Sequence, residues 1–195
     1  EYRSFLSSQV AEGVARAWQA RKAGAMGWGM GQVVVGQNRR ASYANGKTAM
    51  YGSVTQPDFI GLEGWEDHTL DVIGFVDAAK KLTAVMLVVP CPSQVIEGMT
   101  VVSADYWGNV RRKLKALHGE ELVIAGFCGP AGDFAPRPML RKSAEARMEK
   151  LRGVDRKEEL ARRIVKSFED VWGVVSKEIS SDLQFKHHVE KIELS

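Results

Sequence analysis

The chain has 195 residues, of which 45% are hydrophobic and 26% are charged, and these are ordinary proportions for a globular protein. A chain of this length can bury a substantial core as one unit, so we predict a single domain over residues 1–195. No apolar run approaches the ~20 residues that cross a bilayer, so no transmembrane segment is predicted. The sequence has neither an initiator Met nor a signal-peptide pattern, as expected of a processed product or an excised piece.

The net charge of +3 does not point to a nucleic-acid partner. Residues 137–166 hold eleven Lys or Arg against five Asp or Glu. However, the two signs alternate as on a solvated helix, and no aromatic residue stands among them to stack on bases. The two cysteines, Cys91 and Cys128, form no CxxC motif. They suit a reducing compartment and equally one disulfide of an exported protein, so they do not define the compartment.

The first predicted element is an amphipathic helix over residues 5–22, ended by the glycines that follow it. The segment GWGMG at residues 27–31 is not a dinucleotide-binding loop, because such a loop follows a strand and opens a helix. Here it precedes the β-branched run QVVVGQNRR at residues 32–40. Turn signals at residues 44–46 and 56–58 then predict a short irregular region.

The middle of the chain predicts a β-hairpin. The runs TLDVIGFVD at residues 69–77 and KLTAVMLVVP at residues 81–90 are separated by a short turn, and the second run is apolar enough to be covered on both faces. A helix is predicted over residues 105–118, where Gly119 ends it. Another buried strand is predicted over residues 121–128.

Two further helices are predicted over residues 138–151 and 155–176, and the alternating segment LQFKHHVEKIEL at residues 183–194 predicts a closing strand. We therefore predict the α/β class, with a mixed sheet that contains at least one hairpin and is flanked by helices. The adjacent His187 and His188 would point to opposite faces of the closing strand, which makes them surface residues and poor joint ligands of one metal ion.

Cys91 and Cys128 each fall at the downstream end of a predicted strand. If the two strands are parallel neighbours, the segments PCPSQ and GPAGD meet at one edge of the sheet, where ligands of open α/β sheets bind. The alternative is that both cysteines are small buried hydrophobes. Asp133 lies in the glycine- and proline-rich loop after Cys128. It could orient a ligand or a metal-bound water, or serve only an Asx turn.

Polar and charged residues cluster in two other segments. Asn38, Arg39 and Arg40 follow a predicted strand, and an arginine fork suits a carboxylate, a phosphate or a developing oxyanion. The alternative is that both arginines form surface ion pairs. The segment EGWEDH at residues 63–68 gathers three carboxylates and one histidine, which permits a metal site but equally describes solvated loop residues.

Three motifs, taken in chain order, resemble the catalytic domain of neutral (alkaline, non-lysosomal) ceramidases and their uncharacterised bacterial relatives. They are NRR at residues 38–40, CPSQ…SAD at residues 91–105 and AGDFAP at residues 131–136. The resemblance runs through most of the chain and is most specific over residues 36–138. Since the family domain is longer on both sides, the resemblance implies that this chain is a portion from its middle.

The resemblance implies a zinc-dependent amidohydrolase that cuts the N-acyl bond of a lipid-like or other N-acylated small molecule, as the family does with ceramide. It implies catalytic roles for Arg39, which would steady the tetrahedral oxyanion, and for Asp133. It also implies zinc binding by Cys91, which stands where the family has a zinc-binding histidine, and membership of a family that is often exported. The implied substrate-binding residues are Asn38, Ser93, Gly132 and Ala135.

Two departures from the family pattern lead us to expect that this chain alone is inactive. Ala135 stands where the family's Gly-Asp-x-Ser-Pro loop presents a catalytic serine, and a methyl group can neither attack nor form a hydrogen bond. Cys91 is the sole candidate zinc ligand, whereas a catalytic zinc needs ~3 protein ligands. The alternative functions are a non-catalytic relative that retains a ligand-binding pocket and a structural domain without a site.

Overall fold

The structure is a computed structural model that describes residues 1–193. The helices in that range are α1 (Tyr2–Gln19), α2 (Asp105–His118), α3 (Lys142–Arg152) and α4 (Arg156–Val175). The strands are β1 (Gly24–Gln32), β2 (Gln37–Asn38), β3 (Arg40–Tyr43), β4 (Thr48–Met50), β5 (Phe59–Leu62), β6 (Thr69–Asp77), β7 (Leu82–Val89), β8 (Val123–Cys128) and β9 (Phe134–Ala135). None of the helices within residues 1–193 has the length and apolarity needed to span a membrane.

The central sheet has the spatial order β1-β6-β7-β8. β1 and β6 pair antiparallel, β6 and β7 form the predicted antiparallel hairpin, and β7 and β8 pair in parallel. α2 and α4 pack against each other, and α4 also packs on β1 and β6. The predicted α/β class, with a mixed sheet that contains a hairpin and is flanked by helices, is therefore confirmed.

The core lies between one face of the central sheet and the helices α2 and α4. Every second residue of β6 and β7 points into it, as the two-residue period of a strand requires. Its fully buried side chains include Leu70, Leu87, Val89, Leu114, Ile164 and Phe168.

β1 is not among the predicted strands, because its alternate glycines give it low strand propensity. The structure supplies the reason for those glycines. A Cβ atom on Gly29 would lie 2.6 Å from Cγ2 of Val175, and one on Gly31 would lie 2.6 Å from Cγ2 of Val171. α4 therefore lies directly on the backbone of β1. Of the β-branched run at residues 32–40, Gln32 is the last residue of β1, Gln37 and Asn38 form β2, and Arg40 is the first residue of β3.

The helix predicted over residues 105–118 is confirmed at both ends by α2. The other helices differ from prediction only in their bounds. α3 begins later than predicted, at Lys142, because Arg141 has a left-handed backbone conformation with φ of 58° that interrupts a right-handed helix. α3 ends at Arg152, and the next residue, Gly153, has a φ of 66°, the left-handed conformation that favours glycine after a helix.

Two predicted strands differ from the structure. Residues 183–193 form no strand, so the prediction of a closing strand is wrong there, and Leu194 lies outside the described residues. Alternating polarity forms a strand only where a sheet edge pairs with it, and the β1 edge makes a single bridge, to Ser180. β8 forms at the predicted place but is an edge strand, with Val123 61% exposed and Phe127 46% exposed.

Candidate functional site

Three segments that are far apart in sequence meet at Gly36, beside the ends of the parallel strands β7 and β8. A Cβ atom on Gly36 would lie 2.7 Å from the carbonyl oxygen of Pro90, 2.9 Å from Cδ1 of Phe134 and 3.1 Å from Cβ of Cys91. Since no side chain larger than hydrogen fits there without a shift, Gly36 permits this close approach. The segments carrying Asn38, Cys91 and Asp133 thus converge on one place.

Asn38 connects two of these segments through a side chain that is fully buried. β2 pairs antiparallel with β9, which brings Asn38 beside the loop that carries Asp133. The Asn38 amide donates from Nδ2 to Oδ2 of Asp133 at 2.6 Å, and its Oδ1 accepts from the backbone N–H of Arg40 at 2.9 Å. The backbone N–H of Asn38 donates to Oε1 of Glu66 at 2.8 Å. Both ends of the buried amide are therefore satisfied within the protein.

Arg39 is oriented by the same loop. Its backbone N–H donates to the carbonyl of Asp133 at 2.8 Å, and Nη2 donates to the carbonyl of Gly132 at 2.9 Å. On the other side, Nη1 donates to the hydroxyl of Tyr51 at 3.3 Å, and the guanidinium carbon lies 5.5 Å from the centre of the Tyr51 ring. The guanidinium is thus held by a carbonyl and an aromatic ring and has no acidic partner within residues 1–193.

Arg40 has a different environment from Arg39. Its Nε forms an ion pair with Oε2 of Glu63, and Nη2 donates to the hydroxyl of Thr48 at 2.7 Å. The hydrogen bond from Arg40 holds the pKa of Glu63 below its ordinary value. The sequence left open that both arginines form surface ion pairs. Arg40 does form such a pair, with Glu63.

The other polar residues of the segment EGWEDH do not assemble into a metal site. Asp67 accepts a hydrogen bond from the backbone N–H of Thr69 at 2.9 Å. Nε2 of His68 lies 3.2 Å from Oε2 of Glu66. Within residues 1–193, no group of three or more His, Cys, Asp or Glu side chains is placed to hold a metal ion.

Cys91 is fully buried, and burial raises the pKa of its thiol to about 12. The hydroxyl of Tyr106 donates to the backbone carbonyl of Cys91 at 2.8 Å, which fixes the segment but not the sulfur. A catalytic zinc needs ~3 protein ligands, and Cys91 is not joined in residues 1–193 by two further His, Cys, Asp or Glu side chains placed to hold a metal ion. The described residues by themselves therefore do not form a zinc centre at Cys91.

The predicted substrate-binding residues occupy different environments. Ser93 is exposed, whereas Asn38 and Ala135 are fully buried. Gly132 has no atom within 4 Å of the position of a Cβ, so its loop is open to solvent, and its carbonyl is the group that orients Arg39. The roles of these residues towards a ligand stay predictions.

Two adjoining cavities beside the site share the residues Gln37, Glu66, His68 and Arg141. The first has a volume of about 520 Å³ and extends along the charged face of α4; the second has a volume of about 460 Å³. The apolar wall of the second cavity consists of Leu62, Trp65 and Leu140. A ligand with one polar and one apolar end would find both kinds of surface here.

Gln37 and Arg141 are not among the residues predicted from the sequence. Neither residue carries a sequence signal. Gln37 precedes the predicted Asn38, but adjacent residues of a strand point to opposite faces. Arg141 lines both cavities and has a left-handed backbone conformation before α3, which no local pattern indicates.

Comparison with solved structures shows that the α/β fold of this chain is similar to part of the fold of ceramidases. The crystal structure of neutral ceramidase from Pseudomonas aeruginosa matches with a TM-score of 0.60 and 20% sequence identity, over 85% of this chain and 25% of that chain. A ceramidase complexed with C2 matches with a TM-score of 0.56 and 19% identity, over 83% of this chain and 24% of that chain. No protein-family model and no curated protein sequence matches.

These matches confirm, at the level of the fold, the resemblance to neutral ceramidases that the sequence motifs indicate. The chain spans about a quarter of the length of the ceramidase structures that it matches.

Proposed function

We propose that this chain is part of a ceramidase-like amide hydrolase that acts on the N-acyl bond of a lipid-like or other N-acylated small molecule. The observation that supports the proposal most directly is the position of Arg39. Its guanidinium is fixed by the carbonyl of Gly132 at 2.9 Å, in a fold that matches ceramidase structures.

Arg39 is suited to stabilise the oxyanion that forms when an amide carbonyl is attacked. A donor that is fixed before the reaction needs no reorganisation as negative charge develops. Gly132 and Tyr51 provide that fixation, and Asn38 holds the loop through Asp133. We assign Arg39 the oxyanion role, and Asn38 and Asp133 the positioning of the loop.

At the position of the family's serine, the described residues have the buried methyl group of Ala135. Within residues 1–193 no group of three or more His, Cys, Asp or Glu side chains is placed to hold a metal ion. The zinc implied by the family therefore does not fit this chain alone, and we derive no step through it. We expect the 195-residue chain by itself not to hydrolyse an N-acyl bond.

A second candidate function is a non-catalytic relative that binds the same class of ligand. Two observations favour it. Ala135 stands at the position of the family's serine, and the paired cavities combine charged walls with the apolar wall of Leu62, Trp65 and Leu140.

The experiment that tests the proposal compares the 195-residue chain with the complete polypeptide encoded by the reading frame around it. Both are incubated with N-acylsphingosine and zinc, and released fatty acid is measured against a blank of metal alone. We expect release only from the complete polypeptide. Arg39→Ala is expected to lower kcat/KM by about 100-fold, as the loss of an oxyanion donor does. The neighbouring Arg40→Ala is expected to change it less than threefold.

Three results would contradict the proposal in distinguishable ways. Release by the 195-residue chain would refute its inactivity. Saturable binding of N-acylsphingosine by the complete polypeptide without release would favour the binding relative. Equal losses in the Arg39→Ala and Arg40→Ala variants would remove the oxyanion role from Arg39.

A further inference from the structure

One cation in the cavity along α4 has no acidic partner in residues 1–193. This cavity has a volume of about 520 Å³, and its wall contains Arg141, Arg162, Arg163 and Lys166. Arg162 and Arg163 donate to the same buried carboxylate of α4, and Lys166 forms an ion pair within that helix at 3.1 Å. Arg141 forms no ion pair with a described residue, so its guanidinium is free to meet an anion.

Two uncharged donors of the same cavity wall are also without a partner. Ser167 is 7% exposed, and neither its hydroxyl nor the side-chain amide of Gln37 forms a hydrogen bond with any part of the chain that the structure describes. Gly31 of β1 lies beside that hydroxyl without covering it, because a Cβ atom there would lie 2.8 Å from Oγ of Ser167. Since buried hydroxyl groups are normally hydrogen-bonded, these donors indicate a place for an acceptor from outside the chain.

The N-terminus of α3 lies at the same cavity. Arg141 is its N-cap residue, and Glu145 of its first turn also lines the cavity but is already paired with Arg156 and Arg163. No side chain caps this end of the helix, so the backbone N–H groups of the first turn have no partner within it. A helix N-terminus carries a partial positive charge, which adds to the charge of Arg141 and favours an anion at this place.

An apolar wall adjoins Arg141 on its other side. The second cavity, of about 460 Å³, shares Arg141 with the first and is also lined by Leu62, Trp65 and Leu140. Trp65 is 83% exposed and Leu140 is 43% exposed, so a ligand can reach this wall. Burial of an aliphatic chain against these side chains is favourable. The two cavities therefore suit one molecule with an anionic end and an aliphatic end.

We propose that the two cavities bind an aliphatic monocarboxylate, which is the chemistry of a free fatty acid. Its carboxylate accepts from Arg141, Ser167 and Gln37, and its chain lies on the wall of Leu62, Trp65 and Leu140. Arg39 lines neither cavity, so the inference rests on these cavities and not on the proposed amide hydrolysis.

The charge of the site favours a carboxylate over a phosphate. A carboxylate has one negative charge, which the guanidinium of Arg141 neutralises. A phosphate group carries nearly two negative charges at neutral pH, and Glu66 in the wall of both cavities would repel the second.

Isothermal titration calorimetry of the 195-residue chain with octanoate tests the proposal. Octan-1-ol has the same chain without the charge, octyl phosphate has a phosphate in place of the carboxylate, and butyrate has the carboxylate with a shorter chain. We expect octanoate to bind saturably and at least tenfold more tightly than each of these three, because both the carboxylate and the length of the chain contribute.

Variants of the cavity wall locate the binding site. Arg141→Gln is expected to weaken octanoate binding at least tenfold, Arg141→Lys less than that, and Ser167→Ala about threefold. Arg147→Gln is the matched control, since Arg147 is an exposed arginine of α3 that lines neither cavity, and its effect should be less than twofold. Thermal unfolding by circular dichroism shows whether each variant is folded.

Four results would overturn the proposal. The first is the absence of saturable octanoate binding. The second is equal affinity for octanoate and octan-1-ol, which would mean that the site does not recognise the charge. The third is tighter binding of octyl phosphate, which would assign the site to a phosphate. The fourth is an equal loss of affinity in Arg141→Gln and Arg147→Gln, which would reduce the effect to general attraction by a basic surface. Because none of these measurements follows cleavage of an N-acyl bond, their failure and that of the proposed hydrolysis are distinguishable.

Discussion

Asn38 is the residue on which the geometry of the candidate site depends most directly, because one buried amide serves two segments. Its Nδ2 donates to Asp133, and its Oδ1 accepts from the backbone of Arg40. An amide is the side chain of this size that offers both a donor and an acceptor. A carboxylate of the same shape would satisfy Arg40 but not Asp133.

Asn38→Asp is therefore expected to destabilise the protein by about 2–4 kcal/mol at pH 7, because it replaces a hydrogen bond by two adjacent carboxylates at a buried position. The loss should become smaller at acidic pH, where one carboxyl is protonated. Urea unfolding at pH 7 and pH 4 measures both effects.

Asn45→Asp is the matched control, since Asn45 is exposed and lies 3.4 Å from Oδ2 of Asp58. We expect a change within about 0.5 kcal/mol there. Equal losses for the two variants would show that the Asn38 amide has no special role.

The two cysteines are expected to differ in reactivity. Cys91 is buried, with the pKa of its thiol raised to about 12, whereas Cys128 is exposed. Because the thiolate is the reactive form, iodoacetamide at pH 8 should label Cys128 at least 100-fold faster than Cys91, as read by peptide mass spectrometry. In the Cys128→Ser variant no fast-reacting thiol should remain. Comparable rates at the two residues would mean that Cys91 is accessible, and would restore it as a candidate metal ligand.

At the scale of elements, the packing of α4 on the sheet depends on positions without side chains. A Cβ atom on Gly74 of β6 would lie 2.2 Å from Cζ3 of Trp172, and Trp172 is a core residue stacked on Phe168. The indole ring is rigid, so it cannot yield as the end of a flexible side chain would.

Gly74→Ala is expected to destabilise the protein by about 1–3 kcal/mol through overpacking. Gly61→Ala on β5 is the control, because nothing lies within 4 Å of that Cβ position, and we expect its effect to lie within about 0.5 kcal/mol. Thermal unfolding followed by circular dichroism compares the two. A neutral Gly74→Ala would show that α4 can move away from β6 at no cost.

A buried carboxylate ties α3 to α4. Glu159 is 1% exposed and accepts hydrogen bonds from Arg162 and Arg163 of its own helix and from Arg152 of α3. The hydrogen bond from Arg162, followed by that from Arg163, lowers the pKa of Glu159 to about 2 against the opposing effect of burial.

The lowered pKa of Glu159 predicts that the protein becomes less stable at acidic pH. The pKa of Glu159 in the folded state lies below the unfolded value of 4.5. The stabilising contribution of the ionised carboxylate is therefore complete above about pH 5 and is lost as the pH falls towards 2. We expect the free energy of unfolding to decrease by about 2 kcal/mol over this range. Glu159→Gln should be less stable at pH 7 and should decline less with acid in guanidinium unfolding. Glu12→Gln on the exposed α1 should follow the parent protein. A parallel acid decline in parent and Glu159→Gln would exclude Glu159 as the source.

At the scale of the whole molecule, the candidate site forms where three segments that are distant in sequence come together. Asn38, Cys91 and Asp133 are separated by more than 40 residues from one segment to the next, and Gly36 brings their segments together. Motifs in the sequence identified these segments as a set. They did not reveal that the Asn38 amide holds Asp133, or that Arg39 and Arg40 have different partners.

The molecule also carries exposed apolar side chains on β1 and α1, among them Trp28 and Met30 of β1 and Phe5 and Trp18 of α1. The buried core, by contrast, is confined to the layer between the sheet and the helices α2 and α4. The chain matches about a quarter of the length of the ceramidase structures.

The sequence by itself determined the elements with strong local patterns. The hairpin of β6 and β7, the helix α2 and the strand β8 follow from hydrophobic period and turn residues, which are properties of neighbouring residues. The tertiary structure decided the rest. β1 is a strand because its glycines allow α4 to pack directly on its backbone. Residues 183–193 form no strand in spite of their alternating polarity, because no sheet edge pairs with them. The burial of Cys91 and the hydrogen bonds of Asn38 and Arg39 depend on distant segments, whose contacts no local pattern contains.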